Sequence, residues 1–133
     1  MSRRPNNILR RLFNRRRRRP TSAADGTGAI YIIRERVLAN GCWVLKIGMT
    51  KNLGRRMKEH RRNCPNLNRR LWRFKGVGFR RRVEALFHLA VESICVDRPR
   101  TSCPFCHRRH LEIFVLTPHQ ILNGLLPLFA RLS

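Results

Sequence analysis

The chain has 133 residues, which is the usual size of one domain and leaves no room for a second large core. Its 30 lysines and arginines face only 7 aspartates and glutamates, and the resulting formal charge of +23 attracts polyanions. Nucleic acid is therefore the expected partner, although charge alone favours binding over catalysis. No segment reaches the roughly eighteen apolar residues of a membrane span, and the N-terminus lacks the apolar run of a secretory signal, so neither membrane insertion nor secretion is expected.

Residues 1–27 form an arginine-rich segment that we predict to be a disordered tail, because blocks of like charge repel one another. Five consecutive arginines, Arg15 to Arg19, are typical of a nuclear import signal or of an arm that contacts DNA phosphates. Candidate DNA contacts in this run are Arg15, Arg16 and Arg17. A nuclear location follows from this interpretation, and a mitochondrial transit peptide is the alternative, since the segment is rich in arginine and free of acids.

A compact domain is expected over residues 28–133. The segments 29–36 and 42–47 have the composition and alternation of half-buried strands, and Asn40-Gly41 between them is a strong signal for a two-residue turn. With that turn, Tyr31 and Lys46 lie on the same sheet face, four residues or about 13 Å apart along the strand. A wider loop over residues 36–41 would bring them closer.

The rest of the domain reads as alternating helices and strands. Asn52 can cap a helix that ends near Arg62, and Thr117-Pro118 with Gln120 forms a capping box for a last helix that Pro127 is expected to end or kink. Between them we predict a strand over 71–75, a helix over 79–96, a Cys/His loop and a fourth strand. The expected fold is an α/β protein of the α+β type, with a small antiparallel sheet of three to four strands flanked by helices.

Four short motifs follow one another along the chain. They are Ala29-Ile30-Tyr31, then Lys46-Ile47-Gly48 with Arg56 and His60 after it, then Glu84-Ala85-Leu86-Phe87-His88, and finally His110-Leu111-Glu112-Ile113-Phe114. This order resembles the core of the GIY-YIG superfamily, whose members cut or hold DNA, over roughly residues 28–116. The lysine in the second triplet resembles the variant of the phage and fungal branch with a T5-type DNA-binding domain.

The resemblance implies a set of site residues for phosphodiester hydrolysis. Tyr31 would lie near the attacking water, Arg56 on the phosphate with His60 beside it, and Glu84 on Mg²⁺ or Mn²⁺, a hard cation that prefers carboxylate oxygen. Lys46 takes the place of the second tyrosine. Further candidate phosphate contacts in and beside the basic helix are Lys51, Arg55 and Arg61.

Two departures from the family pattern keep other functions open. An ammonium group at Lys46 cannot accept a proton unless burial lowers its pKa far, so a phosphate contact suits it better. The family's late asparagine has no counterpart, and His110 or Glu112 would have to replace it. Glu84 could also simply form a surface salt bridge with Arg80, Arg81 or His88. The alternatives to a nuclease are therefore a DNA-binding module without catalysis and a basic protein associated with RNA.

The cysteines favour a metal over disulfides. Cys103 and Cys106 close a short chelating turn, and Cys64 and His110 could complete four zinc ligands. A second Cys-x-x-Cys pair is missing, so reduced and merely buried cysteines are an equal alternative. Disulfides rank third because the five cysteines are odd in number and no secretory signal precedes them.

Overall fold

The structure, a computed structural model, describes residues 3–64, 69–100, 103, 105–106 and 112–133. Its elements, in chain order, are α1 Asn6–Arg18, β1 Gly28–Val37, β2 Trp43–Thr50, α2 Leu53–Asn63, β3 Arg70–Val77, α3 Arg80–Ile94, β4 Ile113–Leu116, α4 Pro118–Gln120, a π-helical segment Ile121–Leu125 and α5 Leu126–Ala130. Every strand and helix predicted between residues 28 and 133 is present.

The four strands form one antiparallel sheet in the order β3-β1-β2-β4. Successive side chains of a strand point to opposite faces, so each face is defined by alternate residues. One face packs against α3 and the C-terminal helices and carries the fully buried side chains Ile30, Ile32, Leu45 and Ile47. The predicted α+β fold is confirmed, and the opposite face of β1 and β2 carries Tyr31 and Lys46.

The two-residue turn predicted at Asn40-Gly41 is wrong. The N–H of Leu38 donates to the carbonyl of Cys42 at 2.8 Å, and Gly41 adopts a φ of 87°, which favours glycine. An irregularity in β1 between Arg34 and Arg36 also shifts the register. The wider loop therefore pairs Tyr31 with Gly48 and places Lys46 two positions from Tyr31 along the strand, about 7 Å rather than 13 Å.

The predicted helix caps are confirmed. The side-chain oxygen of Asn52 accepts the N–H of Arg55 at 3.0 Å, and Thr117 forms the reciprocal capping box with Gln120. Pro127 does not end the last helix. Because proline has no N–H to donate, the turn before it widens into the π-helical segment, and the helix then continues through α5.

The arginine-rich N-terminal segment differs most from the prediction, since Asn6–Arg18 form a helix instead of a disordered tail. Leu9 is only 1% exposed, and α1 packs against α3. Arg4 donates from its main-chain N–H and its guanidinium to the buried carboxylate of Glu92, at 2.8 and 2.9 Å. Arg82 of α3 donates to carbonyl groups near the end of α1. These tertiary contacts outweigh the repulsion between arginines on which the prediction of disorder depended.

Candidate functional site

Tyr31 of β1 lies opposite the second triplet, which belongs to the neighbouring strand β2. It pairs with Gly48 of β2, and a Cβ at position 48 would lie 2.4 Å from the tyrosine hydroxyl oxygen. Only glycine therefore allows the phenol ring to occupy this place. The two triplets therefore pack against each other, with the tyrosine of the first on the glycine of the second.

Helix α2 brings two side chains to the Tyr31 hydroxyl. His60 Nε2 lies 2.8 Å from the tyrosine oxygen, and Arg56 Nε donates to the same oxygen at 3.4 Å. Their spacing of four residues puts them on one side of the helix. His60 is buried, whereas the Arg56 side chain is 39% exposed and also donates to Glu59 at 2.8 Å. Burial raises the pKa of Tyr31 above its ordinary value, and the hydrogen bond from Arg56 opposes this rise.

Lys46 is almost fully buried, and its Nζ lies 3.4 Å from a carboxylate oxygen of Glu112. Burial lowers the pKa of Lys46, while Glu112 raises it. Glu112 has a φ of 64°, and among the described residues it is the only non-glycine residue with a positive φ. A backbone conformation of this kind costs roughly 1–3 kcal/mol and is concentrated at functional sites. It places the Glu112 side chain between β2 and α3.

Glu84 and His88 of α3 meet Glu112 in a second group, in which one ligand atom of each residue lies within 4.8 Å of the other two. Burial raises the pKa of Glu84 to about 7, Glu112 adds to the rise, and Lys46 opposes it. His88 Nε2 lies 2.8 Å from the carbonyl oxygen of Ile47. A carbonyl only accepts, so Nε2 carries the proton and Nδ1 keeps its lone pair. Histidines that bind metals usually make an outer hydrogen bond of this kind.

A comparison with protein-family models matches residues 28–126 to the T5orf172 domain. The chain belongs to the T5orf172 domain family. This family is GIY-YIG-like and associated with nucleases, so a nuclease-like or DNA-binding role and DNA as the partner agree with the resemblance in the sequence. Comparisons with curated proteins and with solved structures gave no significant match.

The T5orf172 domain brings the predicted catalytic residues together. The hydroxyl of Tyr31 contacts Arg56 and His60 directly, and the charge of Glu84 influences its pKa. Lys46 joins the same cluster through its ion pair with Glu112. The roles of these residues stay a prediction, but a single cluster now contains all five of them.

Sequence reasoning did not predict that two further residues, His88 and Glu112, would meet Glu84. His88 lies four residues after Glu84 in the third motif, and that spacing on a helix was the available signal. Glu112 was considered only as a replacement for the missing asparagine. Its approach to Glu84 depends on the pairing of β4 with β2, which no local pattern in the sequence reveals.

The remaining predicted DNA contacts lie on the surface of the T5orf172 domain and of α1. Exposed side chains on or beside α2 are Lys51, Arg55 and Arg61, and on α1 they are Arg15 and Arg17, with Arg16 half-buried. A groove of about 350 Å³ between α1 and α3 is lined by Arg15, Arg16 and Arg98 and reaches His88. Among the described helices, none is both long and apolar enough to cross a membrane.

Three of the four predicted zinc ligands lie together at the end of α2. The sulfur atoms of Cys64, Cys103 and Cys106 are all within 4.8 Å of one another, and those of Cys64 and Cys103 are 4.0 Å apart. Tetrahedral zinc with Zn–S bonds near 2.3 Å separates its sulfurs by about 3.8 Å. Burial raises the pKa of Cys64 to about 12, and the neighbouring thiols add to the rise. His110 lies outside the described residues.

Proposed function

We propose that this chain is a GIY-YIG-type endonuclease of the phage and fungal branch with the lysine variant of the second triplet, and that it hydrolyses phosphodiester bonds of DNA with a divalent cation. Two groups carry the proposal, one of Tyr31, Arg56 and His60 and the other of Glu84, His88 and Glu112. They are close enough for the charges of Glu84 and Glu112 to raise the pKa of Tyr31. The first group offers hydrogen-bond donors and a hydroxyl, and the second offers two carboxylates and an imidazole nitrogen.

The first group suits the phosphate and the attacking water. Arg56 is the partly exposed cation of the group, so it can donate to a phosphoryl oxygen while its Nε stays on Tyr31. Positive charge that is already in position where negative charge develops stabilises the transition state, and one donor of this kind contributes about 10²- to 10³-fold in rate. In this proposal Tyr31, whose hydroxyl contacts His60 and Arg56, orients the water and receives its proton. Lys46 adds a second, buried cation.

The second group fits a divalent metal ion. Two carboxylates and an imidazole nitrogen form its donor set. Burial and the charge of Glu112 raise the pKa of Glu84 to about 7, and a bound cation would offset both effects. When bound, the cation supplies charge that stabilises the phosphoryl and leaving oxygens. Carboxylate oxygens suit Mg²⁺ and Mn²⁺ alike, whereas the nitrogen of His88 favours Mn²⁺.

A structural zinc ion at Cys64, Cys103 and Cys106 is the second metal that we propose, with His110 as the fourth ligand. Cys64 caps the end of α2, four residues after His60, and the other two cysteines precede β4 and Glu112. Zinc would therefore tie the helix that carries Arg56 and His60 to the segment that leads to Glu112. Elemental analysis should find one zinc per chain, and a strong chelator should lower the melting temperature. Metal-free protein with an unchanged melting temperature would contradict this site.

Plasmid nicking with Mg²⁺, with Mn²⁺ and without metal tests the nuclease. We expect nicking only with metal and more of it with Mn²⁺. Arg56→Ala should lower the rate about 10²- to 10³-fold, whereas Arg62→Ala, an exposed arginine of the same helix, serves as the control for lost charge. Tight DNA binding without nicking of duplex, branched or single-stranded substrates would leave the non-catalytic DNA-binding module as the function.

A further inference from the structure

A buried ion pair is linked to Tyr31 through His60. Arg69, just before β3, donates to Glu35 of β1 at 2.6 Å, and both side chains are 4% exposed. The other terminal nitrogen of Arg69 lies 3.3 Å from His60 Nδ1. His60 Nε2 in turn lies 2.8 Å from the Tyr31 hydroxyl. Four side chains thus form one hydrogen-bonded chain from Glu35 to Tyr31.

The donor properties of arginine decide the direction of these hydrogen bonds. A guanidinium group only donates, so His60 Nδ1 must accept from Arg69 and cannot carry a proton there. Neutral His60 therefore carries its proton on Nε2 and donates it to the tyrosine oxygen. Arg56 Nε donates to the same oxygen. The oxygen of Tyr31 consequently receives two hydrogen bonds, and both favour its negatively charged form.

We propose that Glu35 and Arg69 are positioning residues that hold His60 in its Nε2–H tautomer, so that His60 and Arg56 together stabilise the phenolate form of Tyr31. For catalysis, this inference rests on the proposed nuclease function. In that reaction Tyr31 first loses its phenol proton to solvent. A water O–H bond then breaks, its proton passes to the phenolate oxygen of Tyr31, and the electron pair left on the water oxygen forms the new bond to phosphorus. The bond from phosphorus to the leaving oxygen breaks, and that oxygen takes a proton from solvent.

A purely structural role does not explain why the buried pair of Glu35 and Arg69 is charged. A buried pair of charges contributes little net stability, and an apolar pair of similar volume is often equally stable. The contact with His60 Nδ1 gives the pair a consequence that an apolar replacement would remove. Other groups that act on Tyr31 would stay in place, namely Arg56 on α2, Glu84 on α3 and Glu112 before β4.

The tautomer of His60 can be observed directly in the wild-type chain by NMR of ¹⁵N-labelled histidine. The chain has five histidines, and the spectrum of His60→Gln assigns the signal. We expect the Nε2–H form in DNA-free protein as purified, without added Mg²⁺ or Mn²⁺. The double variant Glu35→Leu, Arg69→Met should lose this preference while it stays folded. A wild-type His60 in the Nδ1–H or doubly protonated form at neutral pH would overturn the inference.

Tyr31 is the only tyrosine of the chain, so the absorbance of phenolate reports on it alone. In the double variant we expect its pKa to rise by about one unit, a tenfold change in acid dissociation, because the histidine donor is lost. His60→Gln tests whether that rise passes through the histidine, and Arg69→Lys should restore the wild-type pKa only in part. An unchanged tyrosine pKa in a folded double variant would contradict the inference.

Cleavage separates this inference from the proposed function. In the double variant the single-turnover rate should fall about tenfold with DNA affinity unchanged, in line with the pKa change. A chain that fixes the tautomer but never cuts DNA would contradict the nuclease and with it the catalytic role of the ion pair. A chain that cuts DNA with His60 in the other tautomer would contradict the role of Arg69 alone.

Discussion

Helix α3 carries two glutamates, Glu84 and Glu92, whose surroundings give them opposite acidities. For both side chains burial is the largest single influence, and it raises the pKa. Glu92 nevertheless has a pKa of about 2, because Arg4 and Arg98 donate to its carboxylate. Glu84 has a pKa of about 7, because burial and the charge of Glu112 both raise it and only Lys46 opposes them. The charged partners, and not burial, separate the two residues.

Because of this difference, we expect Glu92 to serve stability and Glu84 to serve function, although both belong to α3. The charge of Glu92 is already satisfied by arginines that belong to the fold, and it anchors the N-terminal segment to α3. The charge of Glu84 is not satisfied by the chain, so a cation from outside has a reason to bind beside it. We therefore expect Glu84→Gln to stop DNA cleavage and Glu92→Gln to destabilise the fold.

Cleavage should show the largest contrast. Glu84→Gln keeps the size of the side chain but removes the charge that would hold the metal, so the single-turnover rate should fall on the order of 10³-fold or more. DNA affinity should stay or rise, because a negative charge near the phosphate is lost. Glu92→Gln, measured where it remains folded, should cut at nearly the wild-type rate. Equal losses in both variants would show that Glu84 acts only through the fold.

Stability should show the reverse contrast. Glu92→Gln leaves Arg4 and Arg98 without their carboxylate, and breaking a buried pair costs about 3–5 kcal/mol. Urea denaturation should register this loss, and trypsin should cut α1 sooner because the helix is released from α3. The control Glu59→Gln removes a glutamate from the surface of α2 and should leave stability nearly unchanged, because water screens an exposed ion pair. A stable Glu92→Gln variant would contradict the anchoring role.

The sequence predicts Glu84 but not the partners that set its acidity. Glu84 is found by its place in a motif, which is a local feature. The partner Glu112 depends on strand pairing and on an unusual backbone conformation, and Arg4 reaches Glu92 from the other end of the chain. Contacts of this kind leave no periodic signal in the sequence.

The parts of the fold that could be predicted are those set by residues close together in the sequence. Strands and helices follow from alternation and capping residues such as Asn52, and these were predicted well. The register of β1 against β2 was not, because the irregularity at Glu35 and the long turn shift it without changing the alternation. The docking of α1 depended on Leu9 and on Glu92, a residue that no motif distinguishes, so the arginine run alone suggested disorder.

The pH dependence of stability should also separate the two glutamates. Glu84 has a raised pKa, so the stability it contributes is present below its ordinary pKa of 4.5 and is lost as the pH rises through about 7. Metal-free Glu84→Gln should therefore exceed wild type by about 1–3 kcal/mol near pH 8 and match it near pH 5. Glu92 has a lowered pKa, so its contribution is present above 4.5 and is lost as the pH falls towards 2.

Denaturation curves at several pH values measure these differences. Glu92→Gln should be less stable than wild type near pH 5 and near pH 8, and the gap should close in acid. The metal affinity of wild type should rise about tenfold per pH unit below 7 and level off above it, because the metal must displace the proton of Glu84. A metal affinity that does not change with pH would place the metal elsewhere.

DNA affinity should change least among these measurements. It tests whether α1, held against α3 by Glu92, contacts DNA. Arg15→Gln removes one exposed charge from the groove between α1 and α3, so the slope of log K against log salt should weaken by about 0.9 and affinity should fall a few-fold. Glu92→Gln keeps every arginine, so the slope should stay, while affinity falls because a loosened helix must be ordered again on binding. If deletion of residues 1–24 leaves the slope unchanged, α1 does not touch DNA, and Glu92 then serves the fold alone.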